Sequence, residues 1–248
     1  MYQNKRTCFS LLVLLSTLFS LTSCVIIPNT IRGTGDLVSV EVPVPGISEV
    51  VLTTHGEMVI QLGDDEKLII EAQENLQPYL ETRQVNGRLT IESKDGFNLD
   101  PTKPIRYLLT VKNIHSLTVT SVGGITAPAL EADQFQVKIS SAGDIYIESL
   151  IADSLEVSLS SVGDLKIAGG QVETQDVRIS SAGNYTAGDL RSQQAEVHVS
   201  SSGDVILWTT DRLDVSISSS GDVSYYGSPQ VISSITSSGD LIRLGDKE

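Results

Sequence analysis

A short motif, Ser-Ser-x-Gly-Asp, recurs through the C-terminal half of this chain and constrains its fold more than any other feature. Aligned on glycine, the copies are Ser121-Val122-Gly123-Gly124, Ser140-Ser141-Ala142-Gly143-Asp144, Ser160-Ser161-Val162-Gly163-Asp164 and Ser180-Ser181-Ala182-Gly183-Asn184. Ser200-Ser201-Ser202-Gly203-Asp204, Ser219-Ser220-Gly221-Asp222 and Ser237-Ser238-Gly239-Asp240 follow, so the glycines are spaced 20, 20, 20, 20, 18 and 18 residues apart. A fixed period of this length marks a repeat architecture in which each copy is one stacked structural unit.

The flanks repeat as faithfully as the motif. Six before glycine stand Leu117, Val137, Val157, Val177, Val197 and Val215, and four before stand Val119, Ile139, Leu159, Ile179, Val199, Ile217 and Ile235. Two after it come Ile125, Ile145, Leu165, Tyr185, Val205, Val223 and Leu241. Apolar, mostly β-branched residues at alternate positions are the signature of half-buried strands. Lys138, Glu156, Ser158, Arg178, His198 and Asp214 fall between them and point outward. Each repeat therefore reads as a strand, a tight bend at Gly-Asp, a second strand and a looser turn.

Two architectures compete for this pattern. A meander of hairpins would turn on Gly-Asp as a two-residue type II′ loop. That pairing sends the apolar positions before and after glycine to opposite faces, and only a three-residue loop restores the parity. Stacked coils place every apolar set inside. The two-residue shortening near the end falls in the looser turn before Leu213, so a loop absorbs it and strand register survives. One coil buries about four apolar side chains at roughly 1.5–3 kcal/mol each, against about 1.5 kcal/mol of ordering entropy per residue. A single coil is unstable, and an array supports itself through its neighbours.

Residues 33–115 lack the motif yet remain rich in strands, with Asn86-Gly87 as a tight turn and one helical turn within Glu74–Tyr79. The expected division is a signal peptide over 1–23, a lipid anchor and short tether over 24–32, and one solenoid domain over 33–248. Within that domain, 33–115 forms irregular coils and 116–248 regular ones.

Lys5 and Arg6 precede a short apolar run from Phe9 to Leu21, too brief to span a bilayer and typical of a secretory signal. Leu21-Thr22-Ser23-Cys24 resembles the bacterial lipobox, in which the cysteine receives diacylglycerol; the plainer alternative is a secreted protein with an incidental cysteine. Cys8 leaves with the signal and Cys24 carries lipid, so no thiol remains for disulfides, metal or nucleophilic catalysis. Removing Lys5 and Arg6 leaves 15 basic residues against 31 acidic ones, a net charge of −16. Such a surface repels nucleic acid, and aromatics at 5% offer little for base stacking. The tether from Val25 to Ile31 reaches about 20–25 Å when extended, which keeps the body near the membrane.

Several stretches together resemble the head GIN domain family, to which an adhesin role is ascribed by domain resemblance. They are Gly33-Thr-Gly-Asp36, Glu74-Asn-Leu-Gln-Pro-Tyr-Leu-Glu81, Pro101-Thr-Lys-Pro-Ile105, the repeated motif and the Tyr225-Tyr-Gly-Ser-Pro229 end. The resemblance spans about residues 33–245. It implies a single-stranded, right-handed β-helix in a lipoprotein or secreted protein, and no established activity. The family's common motif is Ser-Gly-x-Gly; serine in place of the first glycine stiffens the turn here.

Three candidate chemistries arise. Asp144, Asp164, Asp204, Asp222 and Asp240, interrupted by Asn184, stack on one corner about 4.8 Å apart. Calcium could take such oxygens. The structural alternative is that Asp and Asn suit a bend beside Gly143, Gly163, Gly183, Gly203, Gly221 and Gly239, where they bond their own backbone. Repulsion of about 0.9 kcal/mol per pair in water calls for no cation. Ser121, Ser141, Ser161, Ser181, Ser201, Ser219 and Ser237 are expected to form a hydroxyl ladder near the bend. Catalysis finds little support: His55, His115 and His198 lack partners at metal-binding spacing. Lys138, Lys166 and Arg178 are expected at different repeat positions, not in a basic row against the aspartates.

The sequence thus predicts a non-catalytic, cofactor-free, lipid-anchored module of the cell envelope that presents a solenoid surface to glycans, wall polymers or a surface protein. A structural or stress-related envelope protein that folds and assembles without a dedicated ligand is the alternative, with a carbohydrate-active enzyme behind it; a homo-oligomer is compatible with either.

Overall fold

The computed structural model describes residues 29–247; the signal segment, Cys24 and the tether as far as Pro28 lie outside the described residues. In chain order the strands are β1 (Asn29–Arg32), β2 (Leu37–Pro43), β3 (Glu49–Leu52), β4 (Glu57–Leu62), β5 (Lys67–Gln73) and β6 (Leu80–Val85). Next come β7 (Arg88–Ser93), β8 (Phe97–Asp100), β9 (Arg106–Val111), β10 (Ser116–Val119), β11 (Gly124–Ile139), β12 (Ile145–Leu159) and β13 (Leu165–Ile167). The chain finishes with β14 (Gly170–Ile179), β15 (Tyr185–Val199), β16 (Val205–Ile217), β17 (Val223–Tyr226), β18 (Gln230–Ile235) and β19 (Leu241–Gly245). One turn of 3-10 helix, Gln77–Tyr79, falls in the stretch where the sequence places a helical turn.

The fold is an all-β solenoid. From β10 to β17 every strand pairs in parallel with the coil before and after it, at the offset of the sequence repeat: Val137 lies beside Val157, Val157 beside Val177, and Val177 beside Val197. All of these valines are fully buried. The hairpin alternative is excluded for this region, because hairpins pair antiparallel.

The looser turn of the sequence reading is a third side of the coil. β12 runs unbroken from Ile145 to Leu159, and its inward residues are Ile145, Ile147, Leu150, Ala152, Leu155, Val157 and Leu159. The alternation slips by one at Glu148-Ser149 and again at Asp153-Ser154, where two outward residues adjoin. Each slip is a corner made inside the strand. The inter-coil hydrogen bonds continue through it, so β12 turns without glycine or proline, although Pro128, Gly169-Gly170 and Gly188 stand at the first corner in other coils. A coil therefore has an exit face just after the motif, a middle face, and an entry face leading into the next motif. In the shortened coil the residues are lost between the exit and middle faces, where β15 and β16 slip register between Ala187 and Arg191, and a second slip between Ser192 and Gln194 restores one position. Val197 then meets Val215 in register.

The early part of the chain departs most from the expected run of irregular coils. β3 and β4 stack in register on β10 and β11, with Val50 beside Leu117 and Met58 beside Ile125. On the other side of β3 and β4 lie β7 and β9. Spatial order is therefore 88–111, then 49–62, then 116–139, which chain order does not follow. Antiparallel strands complete this end: β5 pairs with β9 and β2, and β6 with β7. The β6–β7 hairpin turns on Asn86 and Gly87 at φ 50 and 79, the left-handed pair that a type I′ turn requires. Leu76 and Leu99 are fully buried over this end of the core.

Candidate functional site

The corner built by the motif repeats one arrangement from coil to coil. Each motif glycine is buried, and a Cβ added at Gly163 would lie 2.8 Å from the Ser141 carbonyl and 2.7 Å from the Ile139 side chain, with the Gly143 carbonyl nearer still. These glycines are required by the close approach of successive backbones. Their φ values lie outside the left-handed region, so the bend does not depend on glycine's conformational range. The glycine amide donates to the preceding coil's serine carbonyl, as in Gly163 to Ser141 at 3.1 Å and Gly183 to Ser161 at 3.0 Å.

The aspartates form a hydrogen-bonded ladder, and this corrects the expectation that they bond their own backbone. Asp144 Oδ1 accepts from the Asp164 amide at 2.8 Å, and Asp164 Oδ1 from the Asn184 amide at 2.8 Å. Asn184 Oδ1 accepts from Asp204, Asp204 Oδ1 from Asp222 and Asp222 Oδ1 from Asp240, at 3.0, 2.9 and 2.8 Å. Because coils stack with little offset, the nearest free amide belongs to the next coil. Asn184 serves as well as aspartate because only one oxygen is needed. The carboxylates stand singly at successive levels, and among the described residues no three His, Cys, Asp or Glu side chains gather as a metal cluster.

The hydrogen-bonded ladder starts at Asp144, because the Gly124 amide donates to the Gly56 carbonyl at 3.1 Å, but an acidic residue holds the same corner one coil earlier. Glu57 pairs with Gly124, which stands where other coils carry aspartate. Thr53-Thr54-His55-Gly56-Glu57 is a chemically equivalent copy of the motif, with hydroxyl, hydroxyl, any residue, glycine and acid in order. Matching by residue class would have found it; the 67-residue separation between Gly56 and Gly123 hid it from a search by period. Burial, and secondarily the Asp144 charge, holds the Glu57 carboxyl above the usual glutamate range.

The serine expectation also changes. The row two before glycine, Ser141, Ser161, Ser181 and Ser201, is half-buried, and its inter-coil bonds come from carbonyls. The exposed hydroxyl row lies one residue earlier, at Thr120, Ser140, Ser160, Ser180, Ser200, Ser218 and Thr236. It borders the entry face, whose next outward row contains Lys138, Ser158, Arg178, His198 and Ser216. Lys138 and Arg178 therefore share a row two coils apart, contrary to the sequence expectation, while Lys166 stands on the exit face. The outermost row is acidic, with Glu156, Asp176, Glu196 and Asp214 in register. Arg178 pairs with Asp176 at 2.6 Å, His198 with Glu196 at 2.8 Å and Arg212 with Asp214 at 2.8 Å. At the upper end of this face Glu49 accepts from Arg88 at 2.8 Å and lies 3.5 Å from His115. The Arg88 hydrogen bond holds the Glu49 carboxyl below its usual range. An open depression beside it is lined by Glu49, His115, Gln134, Gln136 and Glu156.

The family model described as "Putative auto-transporter adhesin, head GIN domain" matches residues 32–229. The chain belongs to this family. Solved structures share this fold. A "putative adhesin" from Bacteroides fragilis is 21% identical with a TM-score of 0.76, covering 87% of this chain and 98% of that one. A "putative lipid binding protein" from Parabacteroides distasonis is 22% identical with a TM-score of 0.70, covering 89% and 100%. A further "putative adhesin", from Parabacteroides merdae, is 17% identical with a TM-score of 0.68, covering 89% and 100%. No curated protein matches the chain.

Proposed function

We propose that this head GIN chain is a non-catalytic binding module of the cell envelope, held at a membrane by lipid on Cys24, and that its entry face takes up an extended glycan or wall polymer. The observation that carries this reading is the face itself. Hydroxyl, mixed and acidic rows repeat at each coil along one flat sheet, so a polymer lying along the axis meets the same donors and acceptors at every step. Arg178 and Arg212 are paired with carboxylates on their own strand, which leaves the hydroxyl row and acidic oxygens to bind neutral, hydroxyl-rich ligands. The adhesin description of the family supports a surface role, and a flat, repetitive face suits adhesion better than turnover of a single bond.

Two measurements test it. Changing Cys24 to Ser is expected to move the protein from the membrane fraction to the soluble one, since a single signal segment without lipid leaves no durable anchor. Retention in the membrane would refute the lipid assignment. In a binding screen against envelope polysaccharides, Ser160→Glu, Ser180→Glu and Ser200→Glu together are expected to weaken binding at least tenfold, about 1.4 kcal/mol. Ile151→Glu, on the exposed middle face, is expected to leave it unchanged. Equal loss in both variants, or no polysaccharide binding by the parent, would overturn the entry-face assignment.

A further inference from the structure

The two ends of the solenoid are finished differently. Where 88–111 forms the first coil, antiparallel β5 and β6 pair with it and Leu76 and Leu99 close over the core, although β2 and β6 themselves pair on one side only among the described residues. At the other end β18 pairs with β16 alone and β19 with β17 alone among the described residues. The outer edge of β18 is thus a row of unpaired backbone donors and acceptors, the feature that natural sheets cover or blunt.

Its side chains continue the core. Val231 stacks under Leu213, Ser233 under Val215 and Ile235 under Ile217. Leu213 and Ile217 are fully buried, whereas Val231 is 37% and Ile235 40% exposed, and Ile232 beside them is 49% exposed. The charge pattern changes at the same place. The chain carries a net charge of −14, yet no Asp, Glu, Lys or Arg occurs from Gln230 to Gly239. In β16, the strand directly above, Asp211, Arg212 and Asp214 are all charged.

We propose that this edge docks a second copy of the same chain, β18 against β18, antiparallel about a two-fold axis through Ser233. The register is self-complementary. With Ser233 opposite Ser233, Val231 of each copy meets Ile235 of the other, and Ile232 meets Ser234. Core rows meet core rows, so the two solenoids share one continuous interior. A shift of one residue would bring outward residues against inward ones. Two acidic bodies approach here at low electrostatic cost because the facing strands are neutral. The contact is isologous and uses the β18 edge of both copies, so this contact closes at two copies and does not extend into a filament. This inference stands apart from the glycan reading and from the lipid anchor.

Ser233→Cys in the full chain tests it directly in membranes. After lipidation of Cys24 the introduced thiol is the only free one, and mild oxidation is expected to link most of the protein as disulfide dimers. Val85→Cys, at an exposed position on β6 at the covered end, is expected to link only marginally. In parallel, sedimentation of the chain from Val25 onward, which holds all nineteen strands, is expected to show concentration-dependent dimers by about 100 μM. Val231→Asp with Ile235→Asp is expected to raise the dissociation constant at least tenfold. Equal linking at the two positions, a parent monomeric throughout, or an unaffected dimer in the double variant would overturn the proposal. Crosslinking of Ser233→Cys to a different protein would overturn the choice of a second copy.

Discussion

Gly163→Ala is expected to destabilise the solenoid by about 3–5 kcal/mol, among the largest effects a one-methyl change produces. The new Cβ would stand 2.7 Å from Ile139 Cγ2 and 2.8 Å from the Ser141 carbonyl, and closer again to the Gly143 carbonyl. Two of these neighbours are backbone atoms locked in the inter-coil ladder, so no side-chain rotation relieves the clash. The coils must part, and parting them stretches the Gly163–Ser141 and Ile145–Asp164 hydrogen bonds on either side of the bend. For a body of this size each kcal/mol shifts the melting temperature by about 2–4 °C, so thermal unfolding followed by circular dichroism should fall by roughly 10 °C. Ala182→Ser, at the exposed position beside Gly183 and with the serine that Ser202 already supplies in the next coil, is expected to change stability by less than about 0.5 kcal/mol. A Gly163→Ala protein melting within about 2 °C of its parent would show that the coils are not in the tight contact described.

Tyr185→Ala is expected to cost about 3–5 kcal/mol through the cavity it opens. Tyr185 occupies the core row two after glycine and is fully buried, with its hydroxyl donating to Gln175 Oε1 at 2.6 Å. Burial pushes the phenol's proton affinity well above its ordinary value, so the group stays neutral and acts as a donor. Gln175 stands in the inward row that elsewhere holds Phe135, Leu155, Ala195 and Leu213. The small Ala195 beside it leaves room for the large Tyr185. A double-mutant cycle separates the hydrogen bond from the packing. Tyr185→Phe strands a buried carbonyl oxygen and should cost about 1–3 kcal/mol, and Gln175→Leu strands a buried hydroxyl. The Gln175 Nε2 has no partner among the described residues. Replacing both residues therefore removes every polar atom at once, and the double variant should be more stable than either single one. Strict additivity of the two changes, measured by chemical denaturation, would refute the coupling.

The same contrast between local pattern and spatial placement separates what the sequence shows from what it hides. The period of the motif and the strict alternation around it favour stacked coils, which bury Val137, Val157, Val177 and Val197 together without a special loop, and the parallel pairing decides the matter. That the shortening lies before Leu213 could be read too, since register on the entry face is kept, but its place at the exit-to-middle corner could not. The in-strand corners could be read only in part: Pro128, Gly169-Gly170 and Gly188 stand at the first corner in other coils, but Glu148-Ser149 makes the same turn with no such residue as a marker. The role of the motif residues could not be read. Aspartate and glycine favour bends by local preference, and that preference points to their own backbone. Their true partners are the amide and carbonyl groups one coil away, which exist only when the coils are stacked.

By itself, then, the sequence determined the family, the all-β solenoid and the inward rows on either side of each motif, because side-chain periodicity encodes which residues leave water. Tertiary structure alone decided the order of the first coils. Thr53-Thr54-His55-Gly56-Glu57 joins the array across a long insertion, and nothing local distinguishes a strand that stacks on its sequence neighbour from one that stacks on β10. It also decided which serines face solvent, and that one end of the solenoid is closed while the other ends in a neutral, half-exposed strand. A residue's exposure at an end depends on whether another coil lies beyond it. Val231 and Leu213 carry the same pattern in sequence and differ only in having a neighbour.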